Sequence, residues 1–158
     1  MDERAIINAS LVLVGQVWGA ELELSPDGAC TLSFEEGLEV ALWHDAETGR
    51  LHIDADLVDI HAEHRPGIYK RALALNYSAF ENAGVVIVLD RENHELMARS
   101  ILLPTVLEPK ILAEQIADVL LAAKALHEQL HLDHSHESDQ QHEGSEHLAH
   151  HSAGFIKI

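Results

Sequence analysis

The sequence predicts an α+β fold ordered helix, three strands, helix, two strands, helix, around a twisted antiparallel sheet. Three observations carry this reading. Residues 29–57 hold three runs of alternating apolar and polar residues separated by turn sequences. Helical periodicity marks residues 2–18, the stretch from Pro66 to Phe80, and the stretch from Pro109 to Leu130. Between the last two lie a β-branched run, Gly84 to Asp90, and a further strand-like run, Glu95 to Leu103. These elements make one domain, residues 1–131, followed by a tail of different composition, residues 132–158.

In the first helix, Asp2 and Glu3 stand where the helix dipole favours acids. Ile7, Leu11, Val14 and Trp18 form one apolar row, with Ile6, Leu13 and Val17 beside it, and Gly19 ends the helix. One sheet has room to bury only one of these rows. Glu21 to Leu24 alternates as a short lead-in strand, closed by the turn Ser25-Pro-Asp-Gly28. Cys30, Leu32 and Phe34 share a face of the next strand, where Cys30 reads as a small core residue. Glu35 to Gly37 connects to a strand carrying Leu38, Val40 and Leu42 on its buried side. After a turn at Asp45 to Gly49, Leu51, Ile53, Ala55 and Leu57 alternate with His52, Asp54 and Asp56. That alternation reads as the wet face of a meander, with a carboxylate–imidazole metal site as the sharper alternative.

The central helix opens at Pro66. Ile68, Tyr69, Ala72, Leu73, Leu75, Ala79 and Phe80 spread over more than half its circumference, leaving Lys70, Arg71, Ala74 and Ser78 as the polar stripe. One sheet does not need so wide an apolar face, so a second subunit is expected on it. Asn76 lies inside the arc, either hydrogen-bonded to nearby backbone or acting as an interface polar group that fixes pairing register. Gly84-Val-Val-Ile-Val-Leu-Asp90 follows as a strand covered on both faces. Leu112, Ile116, Val119, Ala123, Leu126 and Leu130 make the seam of the last helix.

The chain has 158 residues, 10 basic and 27 acidic, for a formal charge of −17. That balance opposes nucleic acid and anionic membrane, and no segment is apolar enough to insert in a bilayer. One cysteine excludes an internal disulfide. The N-terminal Met-Asp-Glu-Arg lacks the positive charge of a signal peptide, so the expected location is the cytoplasm. No phosphate-binding glycine loop and no Gly-x-Ser-x-Gly elbow occurs.

Taken in order, these patterns resemble the class I secretion chaperones of bacterial type III secretion systems, the family of the Tir chaperone. The resemblance covers residues 5–128. It rests on Asp27-Gly-Ala-Cys-Thr-Leu-Ser-Phe34, Gly37-Leu-Glu-Val-Ala-Leu42 and Leu51-His-Ile-Asp-Ala-Asp-Leu57, then on Leu73-Ala-Leu-Asn76, Gly84-Val-Val-Ile-Val-Leu-Asp90 and Leu102-Leu-Pro104. It implies a small acidic homodimer of the bacterial cytoplasm with no cofactor and no catalysis. Such a protein holds the extended N-terminal segment of an exported effector in a secretion-competent state, by strand addition and apolar grooves. The implied dimer positions are Tyr69, Leu73, Asn76, Phe80, Val86 and Val88. The implied partner-binding positions are Ile7, Leu11, Val14 and Trp18.

One chemical motif stands apart. His127-Glu128-Gln129-Leu130-His131 has the His-Glu-x-x-His spacing of zinc peptidases, but the residues that would extend it, His134 and Glu137, are not the required Gly and His. Eight of the 13 histidines lie from His127 onward, so the alternative function is metal handling of the nickel-accessory type by the His-rich tail, through His134-Ser-His136 and His150-His151, with His127, His131, His134 and His136 as the candidate metal set. The tail otherwise reads as a solvated linker, and its clustered histidines as a candidate pH sensor.

Overall fold

The computed structural model describes residues 2–34, 37–59, 65–90 and 93–131. They form α1 (Glu3–Trp18), β1 (Ala29–Ser33), β2 (Glu39–Asp45), β3 (Arg50–Asp59), α2 (Arg65–Ala83), β4 (Val86–Asp90), β5 (Glu95–Leu102) and α3 (Pro109–His131), with a 3₁₀ turn at Pro104–Val106. Asp2 starts α1 by accepting the backbone N–H of Arg4 on its carboxylate at 3.2 Å. Gly19 ends it in the left-handed region, φ 71°, its N–H donating to the Gly15 carbonyl. Gly15 also lets the chain turn back against the helix, since a Cβ there would lie 2.4 Å from the Ala20 carbonyl oxygen.

The sheet is antiparallel throughout, in the order β1-β2-β3-β5-β4. Leu32, Val40, Leu42, Leu51, Ile53, Ala55, Leu57, Ile87, Leu96 and Ala98 point to its covered face and are buried. The six seam residues of α3, Leu112 to Leu130, are all buried, and α3 packs mainly on β3 and β5. α1 lies against α3, while α2 contacts both α3 and β4.

Three expectations need correction. Glu21 to Leu24 is not a strand: its Leu22 and Leu24 are buried, but the segment joins no ladder. The Val-rich run is not covered on both faces: β4 is an edge strand, and Val86 and Val88 on its outer face stay partly exposed. It looks central in sequence because α2 packs beside it, leaving Val85 and Ile87 buried and Val86 and Val88 half-buried. The face of β3 expected to be wet holds His52 and Asp54, which are only 8% and 6% exposed. The connections at Glu35–Glu36 and the whole tail lie outside the described residues.

The core is continuous from α1 to α3, so truncation at its centre should be costly. Leu11 is fully buried. Leu11→Ala is expected to lower stability by about 2–5 kcal/mol in denaturant unfolding. A loss well under 1 kcal/mol would mean that α1 is not part of the core.

Candidate functional site

The two apolar rows of α1 have different fates. Ile7, Leu11 and Val14 are buried in the chain's own core, so the partner-binding reading of that row is corrected. α1 packs against α3 and the 3₁₀ turn, so this row is buried before any partner can reach it. The outward row carries Leu13, 49% exposed, and Val17, 82% exposed, with Val12 and Trp18 alongside. Trp18 packs edge-on against Phe34, ring centroids 6.4 Å apart. At the other end of the helix the Arg4 guanidinium donates to the carbonyls of Pro26, at 2.9 Å, and of Ser25. α1 is thus tied to the chain just before and just after β1.

β1 is a sheet edge. The His44 N–H donates to the Gly28 carbonyl, and the Phe34 N–H to the Leu38 carbonyl. Antiparallel backbone groups alternate in direction, so those of Ala29, Thr31 and Ser33 face away from β2. Ser25 answers Ala29, donating its N–H to the Ala29 carbonyl and accepting the Ala29 N–H on Oγ. Thr31 and Ser33 have no backbone partner on that side among the described residues. The protein thus carries an exposed apolar row on α1 and, separately, an open stretch of strand edge at Thr31 and Ser33. Sequence reasoning missed Thr31, Ser33 and Phe34 as a site, because edge position depends on strand order.

At the opposite edge, α2 and β4 enclose an apolar groove of about 320 Å³ lined by Tyr69, Ala72, Leu73, Asn76, Ile87, Leu89 and Leu96. Leu73 is 73% exposed, and Tyr77 and Phe80 continue its stripe along α2. Among the residues named for a dimer, Tyr69, Leu73 and Asn76 meet in the groove and Phe80 lies on the same stripe. Val86 and Val88 lie on the other face of β4 from Ile87 and Leu89. Tyr77 was missed, although its spacing of four from Leu73 marks the same helix face. Asn76 is hydrogen-bonded to nearby backbone, with both ends of its amide on Ile87.

No helix packs on the outer sheet face among the described residues, yet a polar cluster seals its centre. Asp54 accepts Arg99 Nε at 2.7 Å, Arg99 Nη2 at 2.8 Å and Trp43 Nε1 at 2.8 Å. The Trp43 ring stacks on His52 at 3.9 Å and 7°, and the Arg99 guanidinium lies 5.4 Å from the Trp43 ring centre. Both Asp54 oxygens are spent, so the reading of His52, Asp54 and Asp56 as a metal site is corrected. Burial, then the charge of Arg99, lowers the His52 pKa, and neither ring nitrogen has a partner among the described residues. Burial raises the pKa of the Cys30 thiol, which suits a packing residue better than a nucleophile.

The His-Glu-x-x-His motif falls at the end of α3. His127 Nδ1 lies 2.6 Å from the Leu57 carbonyl and donates to it, tying α3 to β3. No group of three metal-ligating side chains occurs among the described residues. The readings on His134, His136 and the rest of the tail lie outside them, as does any statement about the His131 side chain. No described helix is long and apolar enough to cross a membrane.

Known proteins share this arrangement. The model of the Tir chaperone protein (CesT) family matches residues 12–127. No curated protein matches the chain in sequence. Among solved structures, the chain is similar to one in the ExsC–ExsE complex, with 22% identity, TM-score 0.69, and 82% of this chain and 97% of that one covered. It is also similar to a chain of the HopA1–SchA chaperone–effector complex, with 18% identity, TM-score 0.65, and coverage of 81% and 98%. A third likeness is to the heterodimeric ExoU–SpcU complex from the type III secretion system of Pseudomonas aeruginosa, with 19% identity, TM-score 0.60, and coverage of 79% and 98%. At these identities the structural likenesses establish the fold.

The stacked imidazole gives a pH prediction. A base whose pKa is lowered by folding binds fewer protons folded than unfolded, so stability falls as the pH drops below the unfolded value of 6.5. His52→Phe keeps a stacking ring and removes the titration, while Asp45, Arg50, Asp54 and Arg99 stay in place around it. The loss of stability between about pH 7 and about pH 5 should be smaller in the variant, read as denaturant midpoints. Equal losses would mean that His52 is protonated as readily folded as unfolded.

Proposed function

Because this chain belongs to the Tir chaperone protein (CesT) family, we propose that it is a type III secretion chaperone. On this reading it binds the N-terminal chaperone-binding segment of an exported effector and keeps it competent for secretion. The observation that carries the reading is the open strand edge at Thr31 and Ser33, with the exposed apolar row of Leu13 and Val17 on α1 as a further uncovered surface. An extended segment adds as a strand at Thr31 and Ser33, next to the Trp18–Phe34 pair, and apolar side chains elsewhere in it cover the α1 row. Each Å² of apolar surface covered contributes about 25 cal/mol. The formal charge of −17 favours a basic or apolar segment over an acidic one.

The protein acts as a homodimer on this reading, joined through the α2 stripe and its groove. Leu73, Tyr77 and Phe80 make an exposed apolar patch of the kind that a second copy covers. Its work is binding and not catalysis, and it belongs in the bacterial cytoplasm. Asp54 is spent on Arg99 and Trp43, and His127 on Leu57, so these groups are engaged in structure.

Two variants separate the surfaces. Leu13→Ser with Val17→Ser should weaken capture of the exported partner at least tenfold, about 1.4 kcal/mol, with little change in melting temperature. The readout is co-purification from the native bacterium with mass spectrometry, where the wild type should carry one stoichiometric exported protein. Undiminished capture by the double variant would rule out this surface. Leu73→Asp should turn the wild-type dimer into monomer or aggregate in sedimentation at micromolar concentration. A stable wild-type monomer there would overturn the dimer.

A further inference from the structure

The sheet has a second edge, and it is not left open in the way β1 is. β4 pairs with β5 without a break from Val86↔Arg99 to Asp90↔Glu95. Its other side faces α2. Asn76 Oδ1 accepts the Ile87 N–H at 2.9 Å, and Asn76 Nδ2 donates to the Ile87 carbonyl at 3.2 Å. A residue of an adjacent antiparallel strand would make this same pair of bonds to Ile87. One planar amide, held on a helix, fills the place of the next strand's backbone. The other outward residue of β4 is Leu89, whose N–H has no partner among the described residues.

Val86-Ile-Val-Leu89 holds no charge, proline or glycine, so it lacks the usual devices that discourage edge-to-edge pairing. Four β-forming apolar residues on an open edge would be a hazard in a protein that handles extended chains. β1 has a milder composition and is closed only at its first residue, by Ser25.

We propose that Asn76 is the residue that closes the β4 edge, imitating the missing strand at Ile87. Copies of the chain then meet at this edge through side chains and not as one continuous sheet, and β1 alone accepts a partner's strand. The direction to β1 rests on the strand-addition reading above, whereas the closure of β4 does not.

Amide exchange in the free full-length protein tests the closure without any partner. By NMR, the Ile87 amide should exchange at least about tenfold more slowly than the Leu89 amide, although both face away from β5. Asn76→Ala should raise the Ile87 rate at least about tenfold and give assemblies larger than the wild type's in sedimentation. Asn76→Asp keeps an acceptor for the Ile87 N–H, so its Ile87 amide should exchange more slowly than that of Asn76→Ala. The proposal is overturned if Ile87 and Leu89 exchange alike in the wild type, or if Asn76→Ala folds with wild-type exchange and assembly. Should Asn76→Ala fail to fold, the wild-type comparison decides. Capture of an exported partner is a separate measurement, so its failure counts against the chaperone reading and leaves the exchange result standing.

Discussion

An antiparallel sheet that does not close into a barrel carries two rows of outward N–H and C=O groups, and that constraint orders the rest of this molecule. Here the rows belong to β1 and β4. The two edges are treated differently. α1 is tied down at Arg4 and Trp18 and turns Leu13 and Val17 to solvent, while Thr31 and Ser33 stay open on the β1 edge. α2 turns a side-chain amide onto Ile87. The sheet therefore has two unlike edges, one with free backbone at Thr31 and Ser33, the other with its backbone answered at Ile87 and an apolar groove beside it.

The charge balance fits this division. A protein with exposed Val17, Leu73, Tyr77 and Phe80 would self-associate freely if it were neutral. A formal charge of −17 makes random encounters between copies repulsive, so only contacts that bury enough apolar surface to offset that repulsion survive. Such a balance selects for shaped contacts, a groove with its stripe or a strand with its edge. It places no restriction on the sequence of an apolar segment, which suits a surface built from backbone pairing and aliphatic side chains.

Elements whose apolar face is set by one period were legible in the sequence. The α3 seam, the alternation in β1 to β3 and the turn at Asp45 to Gly49 all follow from local spacing and turn chemistry. The choice between the two rows of α1 was not legible, because both are aliphatic and helical spacing treats them alike. It is made by α3 and by the close return of the chain at Gly15, a contact that only the folded structure defines. The place of β4 in the sheet was hidden for a related reason. A β-branched run reads as central wherever something covers it, and here the cover is a helix beside an edge. Asn76 could be marked as the one amide in an apolar arc, but its partner lies eleven residues away across a turn.

The outer face of the sheet shows what remains when a surface has no helix to bury it. Register alone brings Trp43 beside His52 and Arg99 beside Asp54. The bidentate Arg99–Asp54 pair and the indole N–H then satisfy the carboxylate, and the stack covers the imidazole. Polar residues that alternate toward water in sequence become a closed patch, because a large aromatic side chain on the neighbouring strand lies over them. A buried pair of this kind adds little net stability, but removing one partner leaves the other desolvated and is strongly destabilising. The cluster thus keeps the face flat and its polar atoms occupied. With the covered face packed by α3, and the outer face sealed at its centre by Asp54 and Trp43, the surfaces best suited to an extended chain or a second copy are the two edges and the exposed rows of α1 and α2.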